Sequence, residues 1–186
     1  MLKALRLDLP VSSASLLGLR PGDLVHLFGT IYTMRDAGHQ RALDYLNEYG
    51  ELPYGLAGQA LFYAGPTPAA AGRPFGAIGP TTASRMDFAA PRLMEAGISV
   101  MLGKGSRSLE VAEACKRTTS IYLATTGGAA AYLAQFVSKA ELVAWDDLGA
   151  EALYRLELSG MPAFVAIDTQ GANLYHEIGA TGKRSL

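Results

Sequence analysis

Cysteine is nearly absent: Cys115 stands alone in 186 residues. An internal disulfide is therefore excluded, and one thiolate cannot by itself hold a zinc ion or an iron–sulfur cluster. Histidine is scarce as well. His26, His39 and His176 are far apart and fit no HExxH or Cys/His metal spacing, and no Gly-x-Ser-x-Gly elbow occurs anywhere. The chain also lacks any Lys/Arg run, and its net charge of -1 and pI near 6.3 remove the electrostatic footprint of a nucleic-acid binder. Lys3 and Arg6 precede no apolar h-region, so no signal peptide is expected. One uncharged stretch, Thr118 to Ser138, is long enough to span a bilayer. Thr125, Thr126, Gly127, Gly128 and Gln135 leave its middle polar and turn-prone, and it reads as strand, turn and helix. A cytoplasmic protein with no membrane and no nucleic-acid partner is expected.

What is present suits a folded domain. With 49% hydrophobic and 18% charged residues, one domain over residues 1–186 can bury a substantial core. Leu5, Leu7 and Leu9 alternate with Arg6 and Asp8 as a peripheral strand ended by Pro10. A turn at Leu19 to Asp23 precedes a buried strand from Leu24 to Tyr32, and a helix runs from about Asp36 to Tyr49 with Ala42, Leu43 and Leu46 as its apolar face. A strand over Ala60 to Ala64 leads into a Pro/Gly/Ala-rich loop ending near Pro74, a surface excursion or a lid. Strands at Ile98 to Leu102 and Ile121 to Ala124 alternate with helices at Ser108 to Arg117 and Ala129 to Val137, which predicts an α/β domain with parallel strand pairs. Three further strands, Glu141 to Trp145, Tyr154 to Leu158 and Ala163 to Ile167, and a hairpin into Asn173 to Glu177, make the sheet mixed.

Chemistry concentrates where strands give way to helices. Gly79-Pro80-Thr81-Thr82-Ala83-Ser84-Arg85-Met86-Asp87 has the form of a turn followed by a capping box, Ser84 with Asp87, opening a helix through Phe88, Leu93 and Met94. Arg85 in the first turn would oppose the helix dipole, which suggests an anion shared with free backbone N–H groups. Thr33-Met34-Arg35-Asp36-Ala37-Gly38-His39 is a second such junction with an arginine, and Gly103-Lys104-Gly105 lets a lysine approach an anion closely although it is not a Walker loop. Arginines at two junctions could converge at the carboxyl ends of neighbouring strands, where open α/β sheets bind ligands. Residue types alone leave a second reading open at each place: a capped helix with a solvated arginine, Asp36 as an N-cap with Arg35 paired to a surface carboxylate, and an exposed lysine in a flexible turn.

These motifs together resemble the beta subunit of two-subunit, iron–sulfur class I fumarate hydratases and of L-tartrate dehydratase, which in single-chain members is the C-terminal domain. The resemblance rests on Arg35-Asp36 with His39, Tyr63-Ala64-Gly65-Pro66, Gly79 to Asp87, Gly103-Lys104-Gly105, and Pro162 to Val165 before Asp168. Met34 and Gly38 stand where the family more often has alanine. The resemblance implies a single swivelling β/β/α domain that closes over a [4Fe-4S] cluster held by a cluster-bearing alpha subunit, with no metal bound by this chain. It further implies Arg35, Arg85 and Lys104 as ligands of a small dicarboxylate, Thr81, Arg85 and Lys104 as catalytic residues, and Asp36, His39 and Asp87 as their support. A hydro-lyase acting on fumarate or tartrate follows, inactive without its partner, hetero-oligomeric and able to self-associate in isolation. A non-catalytic anion-binding or regulatory module, or a purely structural partner, would be the alternatives.

Overall fold

The computed structural model describes residues 4–68, 72 and 76–176. β1 (Leu5–Leu9) lies parallel to β2 (Leu24–Thr33), and between them Ser12 caps a single helical turn, α1 (Ser13–Leu16), that sequence periodicity did not announce. α2 (Asp36–Tyr49) follows with the expected bounds and stops at Gly50, whose φ of 75° is the left-handed conformation that glycine adopts without a Cβ penalty. β3 (Ala60–Phe62) is followed, after Tyr63, by a small hairpin of β4 (Ala64–Pro66) and β5 (Ile78–Pro80). The Pro/Gly/Ala-rich excursion is thus closed at its base, where Thr67 and Ala77 continue the pairing, while most of residues 69–75 lies outside the described residues. α3 (Ala90–Glu95), β6 (Val100–Gly103), α4 (Leu109–Thr118), β7 (Ile121–Ala124) and α5 (Ala130–Leu133) come next, then β8 (Val137–Ala144) and β9 (Leu153–Ile167).

β2, β3, β6 and β7 are parallel neighbours, and β9 runs antiparallel to both ends of that set, to β7 through Phe164 to Ile167 and to β2 through Tyr154 to Phe164. The mixed sheet therefore closes on itself as a five-stranded barrel, with β1 and β8 attached outside the ring. Closure gives each strand of the ring a partner on both sides. Alternation along the short strands then divides the apolar residues between two cores. Ala60, Phe62, Val100, Leu102, Ile121 and Leu123 join one cluster with Leu27, Ile31, Leu156 and Val165, whereas Leu61, Met101 and Tyr122 join a second with helix residues Ala42, Leu46, Leu93, Val111 and Cys115. Period two is what sorts them. Fully burying each large side chain contributes roughly 1.5 to 3 kcal/mol.

Expected elements differ in three places of the C-terminal half. Residues 154–158 and 163–167 form not two strands but parts of β9, which continues through Gly160 and Pro162. β8 pairs no further along β9 than Leu158 and β7 begins at Phe164, so Pro162 lies where β9 has β2 on one side only and few ladder bonds are at stake. The helix expected to reach Val137 ends in a 3-10 turn at Phe136, and Val137 opens β8. Instead of a hairpin strand, Asn173 makes one isolated bridge to Ile167 and Leu174 to His176 turn helical, with Glu177 outside the described residues.

Candidate active site

Parallel register brings the carboxyl ends of four strands level: Thr33 is opposite Phe62, Phe62 opposite Leu102, and Gly103 opposite Ala124. The residues that follow each strand therefore line one rim. Onto it the β4–β5 hairpin lays the Thr81 loop. Thr81 N–H donates to the Tyr63 carbonyl at 2.7 Å, Lys104 N–H to the Thr81 carbonyl at 3.2 Å, and Ala83 N–H to the Lys104 carbonyl at 2.8 Å. Gly103 makes this approach possible, because a Cβ there would stand 3.0 Å from both the Ala83 Cβ and the Tyr63 ring. Thr81 and Lys104 are both half-buried, and Lys104 forms no ion pair among the described residues.

The expected capping box is not there. Ala83–Met86 forms a 3-10 turn with Thr82 at its start, and the α-helix begins only at Ala90, with Pro91 in its first turn. Asp87 instead turns to the next loop: Oδ1 accepts from Arg107 Nε and Oδ2 from Ser108 N–H at 2.7 Å, so it serves the start of α4 and not a helix of its own. A carboxylate with a buried guanidinium at hand prefers that charge-assisted bond to a local cap. Arg85 consequently reaches across to α2, where Nε donates to Asp36 Oδ1 at 2.9 Å and Nη2 lies 2.9 Å from Oδ2.

At the start of α2 the N-cap position is Arg35, not Asp36, and no side chain of its own caps the helix. Glu151 does so from the 3-10 turn Asp146–Glu151: Oε2 accepts the Ala37 N–H at 2.8 Å while Oε1 lies 3.6 Å from Arg35 Nη2. Gly38 accommodates that turn, since a Cβ would stand 2.8 Å from the Glu151 carbonyl oxygen. His39, in the first turn of α2, is fully buried. Its Nδ1 bonds the Arg35 carbonyl at 2.8 Å and so carries the proton, leaving Nε2 as an acceptor. Burial, aided by the Arg107 charge and opposed by the Arg35 carbonyl and Asp36, lowers its pKa to about 4, and the ring is neutral at pH 7.

Arg35, Asp36, Thr81, Arg85 and Lys104 thus share the rim, with His39 and Asp87 beneath it. Below them lies a group that residue types did not single out. Arg107, with no side-chain exposure, donates to Asp87 and, at 3.3 Å, to the Tyr63 hydroxyl, and its guanidinium carbon sits 5.1 Å and 5.0 Å from the Tyr63 and Tyr122 ring centroids. Tyr63 also meets His39 edge-on at 5.0 Å. The sequence signal was faint: an arginine three residues after Lys104, a tyrosine in the β7 strand, and Tyr63, noted only as part of the Tyr63-Ala64-Gly65-Pro66 motif.

A match to the Fumarase C-terminus family model runs over residues 2–178. The chain belongs to this family. It is 40% identical over 154 residues to "Fumarate hydratase class I, anaerobic" of Escherichia coli, covering 82% of this chain and 28% of that protein, and 40% identical over the same length and shares to "Fumarate hydratase 1, mitochondrial" of Leishmania major. Against "L(+)-tartrate dehydratase subunit beta" of Escherichia coli it is 33% identical over 177 residues, 92% of this chain and 86% of that subunit. The chain spans under a third of the length of the fumarate hydratases and nearly the whole of the tartrate dehydratase subunit.

The residues do not suit an iron–sulfur cluster. Cys115 is buried beside Met94, its thiol pushed up to about 12 by that burial, and among the described residues no group of three or more His, Cys, Asp or Glu side chains could hold a metal ion. Among the described residues, no helix is long and apolar enough to cross a membrane.

Proposed function

We propose that the chain is the beta subunit of a two-subunit hydro-lyase, most simply a fumarate hydratase interconverting fumarate and malate, and that it supplies the carboxylate-binding half of a shared site. The observation that supports this reading is that Arg35 and Lys104 follow the parallel strands β2 and β6, while the Thr81 loop, bonded to Lys104 through its backbone, carries Arg85 to Asp36 beside Arg35. A four-carbon dicarboxylate needs both ends held, and guanidinium groups match planar carboxylates through paired hydrogen bonds. The Arg35–Glu151 and Arg85–Asp36 pairs do not preclude this, because partly exposed ion pairs contribute only about 0 to 1 kcal/mol. Asp36 and Glu151 would hold the arginines in place until a substrate carboxylate takes the free guanidinium edge.

Hydration places a hydroxyl on one olefinic carbon and a proton on the other, through a species whose carboxylate gathers negative charge. Arg85 and Lys104 would stabilise that charge as it forms, and Thr81, pinned through its backbone between Tyr63 and Lys104, would support or relay the proton. The cluster-bearing alpha subunit would hold the [4Fe-4S] group, since this chain offers one buried thiol. Phe88 and Leu109, both large and exposed, follow Asp87 and Ser108, which are hydrogen-bonded to each other, and would give an apolar flank suited to such a partner. A cytoplasmic hetero-oligomer, with self-association of the lone chain through that flank, follows.

Tartrate is the second reading, favoured by the near full-length match to a tartrate dehydratase beta subunit. Assaying the assembled complex on fumarate, malate and L-tartrate tests both. Turnover of fumarate and malate is the expected result, turnover of tartrate alone would replace the first reading by the second, and no turnover of any by an assembled, cluster-loaded complex would leave a non-catalytic anion-binding module.

A further inference from the structure

We infer that Arg107 is a positioning residue that sets the geometry of the Thr81, Arg85 and Lys104 loops together, an inference that deepens the clamp proposed above and rests on it. Three routes lead from its guanidinium. Through Asp87 it fixes the far end of the 3-10 turn that carries Arg85. Through the Tyr63 ring and hydroxyl it holds the residue whose carbonyl receives the Thr81 N–H. By packing on Tyr122 it steadies a phenol whose hydroxyl donates to the Gly105 carbonyl at 2.9 Å, one residue beyond Lys104. Asp87 also accepts the Ser108 N–H, so the loop after β5 and the loop after β6 are joined by one carboxylate.

Packing does not account for a charge in this place. Met94, Met101 and Val111 fill the same cluster without polar groups, and an apolar side chain of similar volume commonly replaces a buried ion pair at no loss of stability. Among the described residues, Arg107 Nη2 is buried with no hydrogen-bond partner, a cost that a residue serving packing alone would not carry. What the guanidinium adds is direction. It is planar and packs on two rings, so with Ser108 N–H it directs the Asp87 carboxylate, and with that the end of the turn bearing Arg85.

The experiment compares Arg107→Lys, Asp87→Asn and Arg85→Lys in the full chain. Amide exchange of the chain alone is read over Thr81–Arg85 and Lys104–Ser106, and kcat and KM for fumarate are read in the assembled complex. Arg107→Lys keeps the charge but cannot span Asp87 and the Tyr63 hydroxyl, and Asp87→Asn removes the charge and one of the two acceptors from the more exposed end of the same link. At least tenfold faster exchange at both loops is expected in each, with barrel amides at Leu102 and Leu123 unchanged. In the complex kcat should fall about 10- to 100-fold with KM within about threefold, because displacement by an ångström costs transition-state contacts more than ground-state binding. Unchanged exchange in both variants overturns the inference, as does unfolding of both, the behaviour of a scaffold residue. Faster exchange with normal turnover, beside normal turnover in Arg85→Lys, would leave the joint intact and remove the clamp reading instead.

Discussion

Arg85 Nε donates to Asp36 Oδ1 at 2.9 Å, joining the turn after β5 to the first residue of α2. Their side chains are 50% and 32% exposed, so water competes for this pair and a ligand carboxylate can share the guanidinium. Arg85→Lys separates a clamp from a countercharge. Lysine keeps an ion pair with Asp36 but loses the planar fork, so the fold and the assembly should persist. In the assembled complex kcat/KM should fall roughly thirty-fold to several thousand-fold, the loss that corresponds to roughly 2 to 5 kcal/mol for a broken charge-assisted contact. Near-normal kcat/KM would remove Arg85 from the proposed substrate contacts.

Most of the strands were legible from alternation and turn chemistry, whereas the closure of β9 onto β2, which makes the sheet a barrel instead of an open sheet, was not. The α2 bounds came from apolar spacing, and those of α4 from apolar spacing and the Ser108 cap. What could not be read was long-range. Asp87 looks like a capping residue in sequence because Ser84 lies three residues before it, and only the fold brings Arg107 close enough to claim it. Glu151 caps a helix 114 residues away and so left no local signal. The arginine, threonine and lysine of the rim were readable as types at strand ends, whereas Tyr63, Tyr122 and Arg107 beneath them gain meaning only once the parallel register is known.

Gly38→Ala tests the contact between α2 and the Glu151 turn. Alanine in a helix interior is worth roughly 1 kcal/mol over glycine, which alone would stabilise the chain. The added Cβ would, however, meet the Glu151 carbonyl oxygen at 2.8 Å, a backbone atom that cannot swing aside. Overpacking of this kind costs about 1 to 3 kcal/mol. A net loss of stability in denaturant melts is expected, and a gain would show that the Asp146–Glu151 turn relaxes freely.

The Cys115 thiol bears on the subunit division. Burial pushes its pKa up to about 12, so little thiolate forms at pH 8. In the native chain it should react with a thiol reagent only on unfolding. After aerobic or anaerobic cluster assembly without a partner the chain should stay colourless and contain no stoichiometric iron. An iron–sulfur absorption band from the isolated chain would overturn the proposal that the cluster belongs to the alpha subunit.

His39 gives the fold a pH dependence whose sign can be worked out. Its pKa falls from an ordinary 6.5 to about 4, first because burial disfavours the imidazolium. Between those values the unfolded chain binds more protons than the native one, so stability rises with pH across that window and is lost as pH drops toward 4. The largest contribution is roughly 3 kcal/mol, reached above about pH 6.5. His39→Asn can keep an N–H for the Arg35 carbonyl but has no proton to gain. Replacing a ring packed on Tyr63 by a shorter side chain should lower stability at every pH by a similar amount. The diagnostic quantity is therefore the slope: denaturant midpoints of the wild-type chain should decline more steeply between pH 6.5 and 4.5 than those of His39→Asn, and parallel declines would mean that His39 becomes protonated in the native state at its ordinary pKa.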